Sequence, residues 1–186
     1  MKVKMTLIIG SLLMAVTAFG QSQFTVAALT GYGMSAFENQ ESAAGTIPLG
    51  VQVGYKVTPA LEAGAELNLA LTGYKFEVEF YNTKVTTTFS QTIIGAFGKY
   101  YFGQGKFKPF ARAGLGYYIG DAKVESNGES QTADIDPAIG FNLGGGVIND
   151  KGIFAEFTYH IVSRKSGGES MGMNNWAVLI GYKFIR

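Results

Sequence analysis

The sequence predicts an all-β fold of eight antiparallel strands, and three observations support this prediction. Apolar residues alternate with small or polar residues along most of the chain, which is the period of a strand with two different faces. Glycine and aromatic residues are frequent (26 Gly, 14 Phe, 10 Tyr) and proline is scarce (4), a composition typical of β structure. Tight turns and longer polar connections also follow each other in alternation, as expected when strands run up and down between two ends of a barrel.

The first 20 residues differ from the rest of the chain. Two lysines precede an apolar run over residues 5–16, and Ala18 and Gly20 place small side chains where a signal peptidase cleaves. The apolar run is shorter than the roughly 20 residues that a membrane-spanning helix needs. We therefore expect residues 1–20 to be a cleaved signal peptide and residues 21–186 to form one domain.

The overall composition argues against several classes of protein. A net charge of +1 provides no basic surface for nucleic acid. The chain has no cysteine, which excludes an N-terminal lipid anchor on cysteine and stabilisation by disulfides. A closed ladder of backbone hydrogen bonds is another way to hold a small exported domain together.

Eight stretches of the chain show the alternation of a strand. In the second stretch, for example, Val51, Val53 and Tyr55 are separated by polar or small residues. Residues 89–101 fit either phase equally, so the sequence leaves the facing of this strand open. The predicted strands are residues 24–32, 47–57, 61–71, 86–102, 110–119, 139–147, 153–161 and 176–184.

The connections between these strands fall into two groups. Three are tight turns that contain Gly, Pro, Asn or Asp, as turn geometry requires. The other four are mostly longer and polar. The turns are residues 58–59, 103–106 and 149–152, and the longer connections are residues 34–45, 81–85, 121–134 and 165–172.

Alternation alone does not say which face of each strand points outward, so a soluble barrel or sandwich and a membrane barrel both fit. The polar face is rich in glycine and poor in charge, which suits a narrow interior better than a surface in water. The strands meet the roughly 9–11 residues that a tilted spanning strand needs and exceed the five or six typical of soluble sheets. Aromatic residues gather towards the strand ends, where a membrane has its two interfaces. These features predict an eight-stranded antiparallel up-and-down transmembrane β-barrel, whose first and last strands must pair because lipid cannot satisfy an open sheet edge.

With the apolar faces towards lipid, a set of polar residues faces the lumen. An eight-stranded barrel is just wide enough for side chains to fill it, and an unpaired buried charge costs several kcal/mol. We therefore expect the glutamates of this set to pair with Arg112, Lys56 or Lys183 and to plug the lumen as a structural network. An ion path or gate is the alternative role of the same residues. The set comprises Lys56, Glu62, Glu66, Arg112, Glu156, His160 and Lys183, together with Gln52, Asn68 and Asn142.

The chain resembles a known family of membrane proteins. Three features carry the resemblance: the signal peptide followed by Gln21, the segment Gly-Lys-Tyr-Tyr-Phe at residues 98–102 before a tight turn, and the closing strand at residues 176–184. Over residues 21–186 the chain is similar to small bacterial outer-membrane β-barrel proteins of the OmpA transmembrane-domain and OmpX type. Proteins of this type are described as "outer membrane protein beta-barrel domain" or porin family proteins in Bacteroidota.

The resemblance implies a location and a set of partners. It implies an exported monomer in the outer membrane of a Gram-negative-type bacterium, in contact with outer-membrane lipid and lipopolysaccharide. Periplasmic chaperones and the barrel assembly machinery would bring it there. The family's usual C-terminal assembly signal ends in an aromatic residue, whereas Phe184 is followed here by Ile185 and Arg186.

The resemblance also admits an enzymatic role, because some barrels of this type modify lipid A with a serine and a histidine near the outer rim. The chain has one histidine, His160, and the nearest serine after it is Ser163. Because side chains alternate along a strand, residues three apart point to opposite faces. The sequence therefore predicts no catalytic residues.

A metal site is also not expected. One histidine and no cysteine leave no zinc constellation. The acidic residues of the third long connection lack the spacing of an EF-hand, which favours a solvated acidic loop. These residues are Glu125, Glu129, Asp134 and Asp136.

The sequence thus predicts a non-enzymatic integral outer-membrane protein without a cofactor. Its role would be structural, or an interaction with surface molecules through the external loops. A narrow porin for small solutes is the first alternative, and a lipid A-modifying barrel enzyme is the second.

Overall fold

The computed structural model describes residues 23–37, 45–80, 83–103, 105–126, 129–166 and 169–185. The predicted signal peptide lies outside these residues. No helix among them is long and apolar enough to cross a membrane.

The described residues form nine antiparallel strands in a single sheet. Strands that are consecutive in the chain pair with each other, except that β3 and β4 lie end to end along β5. Since β1 also pairs with β9, the sheet closes into a ring with eight strand positions, and the predicted fold is confirmed. The strands are β1 (Phe24–Phe37), β2 (Pro48–Lys56), β3 (Leu61–Ala70), β4 (Tyr74–Phe80), β5 (Thr83–Tyr101), β6 (Phe107–Ser126), β7 (Glu129–Asn149), β8 (Ile153–Ser166) and β9 (Glu169–Ile185).

The two faces of the ring differ as the alternation predicts. Outward side chains are apolar and exposed, for example Ile139 at 72% and Phe141 at 59%, whereas their neighbour Asn142 is fully buried in the lumen. An exposed apolar surface that surrounds the whole ring would be unstable in water and is stable against acyl chains. Membrane lipid is therefore the solvent of this face.

Both β3 and β4 pair with β5, and the register of this pairing changes between them. Leu69 pairs with Thr92 on β5, whereas Tyr74 pairs with Phe89, so the β3–β4 side contains two extra residues. Gly73, at φ 66°, takes up the change with a backbone conformation that L side chains rarely adopt.

The connections predicted as long loops are largely strand, which corrects the sequence-based assignment. All described residues of the segments 121–134 and 165–172 are paired in strands, and residues 127–128 and 167–168 lie outside the described part of the chain. Residues 74–80, for which no strand was predicted, form β4 along β5. These paired segments beyond the ring form ribbons. The sequence-based prediction relied on the alternation of apolar residues, and this alternation is lost in the ribbons because water contacts both of their faces. Threonine and other polar residues continue the backbone ladder there without that signal.

The three tight turns lie at the opposite end of the barrel from these ribbons. In the last of them, the Asn149 side-chain oxygen accepts hydrogen bonds from the backbone N–H groups of Lys151 and Ile153. Gly152 follows at φ 93°. Of the predicted connection at residues 34–45, β1 occupies 34–37, and residues 38–44 lie outside the described part of the chain.

Candidate functional site in the barrel lumen

The seven residues predicted to face the lumen all lie on the inner face of the ring. Six are buried, with 2–6% of their surface exposed: Glu62, Glu66, Arg112, Glu156, His160 and Lys183. Lys56 is only half-buried and lies at the turn end of the barrel.

Arg112 on β6 occupies the centre of the lumen and reaches strands on both sides of the ring. Its Nη1 donates to Oε1 of Glu156 on β8 at 2.5 Å, and its Nη2 donates to Glu66 on β3. Its Nε donates to Oδ1 of Asn142 at 3.2 Å. A planar guanidinium suits this arrangement because its N–H groups diverge in fixed directions.

Lys99 on β5 is the second central cation, and the sequence did not assign it. Its Nζ donates to Oε2 of Glu156 at 2.6 Å and to Oε1 of Gln52 at 2.9 Å. The ammonium also lies 4.8 Å from the ring centroid of Phe110 and 5.0 Å from that of Phe154. Such contacts stabilise a desolvated cation.

Lys99 was missed because residues 89–101 fit both phases of alternation. The balance of predicted lumenal charges gives one signal for this residue. Because Lys56 lies at the end of its strand, only Arg112 and Lys183 remain to neutralise the three predicted lumenal glutamates. A third cation was needed.

A second ionic cluster lies nearer the turns. Lys183 Nζ donates to Oε2 of Glu62 at 2.6 Å and to the Tyr101 hydroxyl at 2.9 Å. The Tyr101 hydroxyl in turn donates to Oε2 of Glu62 at 2.7 Å. Thr25 donates to the other carboxylate oxygen of Glu62, also at 2.7 Å. The four groups link β1, β3, β5 and β9 across the lumen.

The buried charges of the described lumen balance each other. Glu62, Glu66 and Glu156 face Lys99, Arg112 and Lys183, and the side chains in these four ion pairs are at most 7% exposed. Balance is needed because a buried carboxylate without its partner costs several kcal/mol.

Towards the ribbons, the lumen is polar but carries no buried formal charge among the described residues. His160 Nδ1 and the Tyr118 hydroxyl are 2.8 Å apart in a buried hydrogen bond. Asn175 donates to the Gln91 side chain at 3.2 Å. The contacts of His160 are thus those of a packed polar interior.

His160 and Ser163 lie on opposite faces of β8. His160 is buried in the lumen and Ser163 is exposed on the outer face, and the pairing with β9 keeps the same register at both residues. This geometry does not bring the hydroxyl to the imidazole.

The acidic residues considered for a metal are all exposed on the ribbons. Glu125 is paired with Lys123 at 2.5 Å, and the hydrogen bond from this ammonium, together with its charge, holds the pKa of the Glu125 carboxyl below its ordinary value. Among the described residues, no three His, Cys, Asp or Glu side chains come close enough to hold a metal ion.

Solved structures share this architecture. Neisserial surface protein A is similar with a TM-score of 0.60 and 18% sequence identity, over 88% of this chain and 97% of that one. The attachment invasion locus protein Ail of Yersinia pestis follows at 0.55 and 15% identity, over 88% of this chain and 100% of that one. OprG of Pseudomonas aeruginosa has a TM-score of 0.51 and 13% identity, over 88% of this chain and 97% of that one. At these identities the likeness concerns the fold alone.

The sequence itself matches one protein family. No curated protein is significantly similar to the chain. Residues 6–184 match the family described as outer membrane protein beta-barrel domain. With this match over nearly its whole length, and with a closed ring that faces lipid, the chain belongs to the outer membrane protein beta-barrel domain family and resides in the outer membrane.

Proposed function

We propose that the protein is a non-enzymatic barrel with a sealed lumen, which supports the outer membrane and presents an interaction surface outside it. The central ion-pair layer is the observation that supports a sealed lumen. Arg112, Glu66, Glu156 and Lys99 span the ring from four strands, with side chains at most 3% exposed. In an eight-stranded barrel this layer leaves no room for a wide aqueous path.

The interaction surface is the sheet that projects beyond the barrel. Residues 83–90 of β5, 120–126 of β6 and 129–135 of β7 continue past the level where the ring closes. At about 3.4 Å per residue, this extension is about 27 Å long. Among the described residues, β4 pairs only with β5, and this part of β7 pairs only with β6. Within the described part of the chain, the backbone groups of both side edges thus have no further strand partner, and a surface partner could pair with them.

Conductance across a planar bilayer tests the sealed lumen. We expect the folded wild-type barrel to show no stable large conductance steps. A variant with Glu66→Ala, Lys99→Ala, Arg112→Ala and Glu156→Ala loses the central layer together with all four of its charges, and we expect it to conduct. Its folding is checked by gel migration with and without boiling, since a closed barrel resists SDS until heated.

A second variant, in which a short turn replaces residues 121–134, tests whether the projecting sheet contributes to the seal. It should fold and remain non-conducting, because the plug lies in the ring and not in the sheet. Stable large steps from the wild type would instead favour a narrow porin. Altered lipid A in mass spectra of a deletion strain would favour a lipid-modifying enzyme.

A further inference from the structure

The turn end of the barrel contains a cavity that the sealed-lumen role does not use. Its volume is about 380 Å³, within the range of small-molecule sites, and its floor is the Lys183–Glu62–Tyr101 cluster. Its wall includes Lys56, Lys108 and Ile148. The ion-pair layer closes the lumen above it, so access is from the turn side, which is the periplasmic side in barrels of this kind.

Cations exceed anions around this cavity. Lys56, Lys108 and Lys183 line it with Glu62 and Asp150. Of the three lysines, only Lys183 has a salt bridge among the described residues. Because Lys56 and Lys183 line the same cavity, their like charges repel each other. An anion that enters the cavity relieves this repulsion.

The ammonium group of Lys183 has a fixed position and a donor available for such an anion. An ammonium has three donors, and two of them are directed at Glu62 and Tyr101. For the third, the structure gives no protein partner among the described residues. Because Lys183 is 94% buried, its position is set by the protein, and a ligand would not have to order it.

The distribution of charge among the described side chains favours anions at this end. Described residues of the turn side include the additional cations Lys106 and Lys151, whereas the projecting sheet carries more acidic than basic exposed side chains. A cleft lined with one sign of charge raises the local concentration of the opposite ion.

We propose that this cavity binds the carboxylate of a small periplasmic solute or peptide end that carries a short apolar group. Lys56, Lys108 and the free donor of Lys183 would hold the carboxylate. The buried side chain of Ile148 and the ring of Pro59 provide an apolar wall for the body of the ligand. Such a wall favours an organic carboxylate over inorganic phosphate.

Nuclear magnetic resonance of the ¹⁵N-labelled barrel in non-ionic detergent tests the proposal. The probe is N-acetyl-alanyl-alanine, and its C-terminal amide and inorganic phosphate are the comparison ligands. We expect the acid to cause saturable shifts of backbone amides around Lys56, Tyr101 and Lys183. The amide should cause none, and phosphate should bind more weakly than the acid.

Variants locate the site. Lys56→Gln with Lys108→Gln should weaken binding of the acid by about tenfold or more. Lys75→Gln with Lys123→Gln removes the same charge from the projecting sheet and should leave binding unchanged. Migration of unboiled samples on SDS gels verifies that both variants fold.

Three results would overturn the proposal. The first is the absence of saturable shifts with the acid. The second is equal weakening by both pairs of substitutions, which indicates a general charge effect. The third is binding of phosphate as tight as that of the acid, which contradicts the assigned ligand class.

Discussion

Arg112 and Glu156 each make two ion pairs, more than any other described residue of the lumen. Among the described residues Arg112 is the only cation with an ion pair to both Glu66 and Glu156, and its side chain is 1% exposed. Lys99 shares Glu156 but has no salt bridge to Glu66 among the described residues. Removal of Arg112 therefore leaves the Glu66 carboxylate buried without a cation.

Replacement of this residue should strongly destabilise the barrel. We expect Arg112→Met to lower the free energy of unfolding by about 3–5 kcal/mol, because one partner of a buried ionic network is lost. Urea titration of the barrel refolded in lipid measures the change. In the control, Lys123→Met breaks an exposed pair with Glu125, and the unfolding midpoint should stay the same. Equal midpoints for Arg112→Met and the wild type would contradict the role of the network.

At the scale of the element, β7 shows why the inner face is rich in glycine. A Cβ atom added at Gly144 would lie 2.1 Å from the carbonyl oxygen of Phe157 on β8, and one added at Gly146 would lie 2.1 Å from that of Ala155. Inward side chains at these positions would push the two strands apart. Gly98 on β5 differs, since the nearest atom to an added Cβ is the Glu62 carbonyl oxygen at 4.0 Å.

The two kinds of glycine should respond differently to the same substitution. Gly144→Ala should lower the free energy of unfolding by about 1–3 kcal/mol, because the strands must shift to admit the methyl group. Gly98→Ala should leave stability unchanged or raise it slightly, through the reduced freedom of the unfolded chain. Both are measured by the same urea titration. If Gly98→Ala proved as destabilising as Gly144→Ala, the close approach at β7–β8 would not be the cause.

At the scale of the whole molecule, the ring depends on the seam between β1 and β9. Twelve residue pairs join these strands, from Val26 with Ile185 to Phe37 with Met173. A chain without this seam would leave two rows of backbone groups exposed to lipid, each unsatisfied group costing several kcal/mol. Closure thus replaces the disulfides that the chain lacks.

Engineered cysteines test the closure directly. Thr30 and Ile180 are paired across the seam and both face outward, at the short separation of directly opposite residues. We expect Thr30→Cys with Ile180→Cys to form a disulfide in the folded barrel, detected by mass spectrometry as the loss of two hydrogens. Thr30→Cys with Leu143→Cys, which places the second thiol on β7, should remain reduced, since a disulfide needs Cα atoms less than about 7 Å apart. A reduced Thr30–Ile180 pair in the folded protein would argue for an open seam.

The sequence by itself determined the fold class, the eight strand positions and the inward facing of Glu62, Glu66, Arg112, Glu156, His160 and Lys183. These properties are local, because the alternation of side chains along each strand encodes them. Only the tertiary structure decided that Lys99 faces inward, since its strand fits both phases and its facing depends on its neighbours.

Tertiary structure also decided which carboxylate meets which cation, that β4 lies end to end with β3, and that the predicted loops are paired ribbons. Each of these depends on register between strands that are up to 121 residues apart, as in the Lys183–Glu62 pair. The cavity at the turn end has the same origin, because its walls come from β2, β3, β5, β6, β7 and β9 and the turns between them. A pattern along one strand carries no information about such contacts, and closure of the ring determines them.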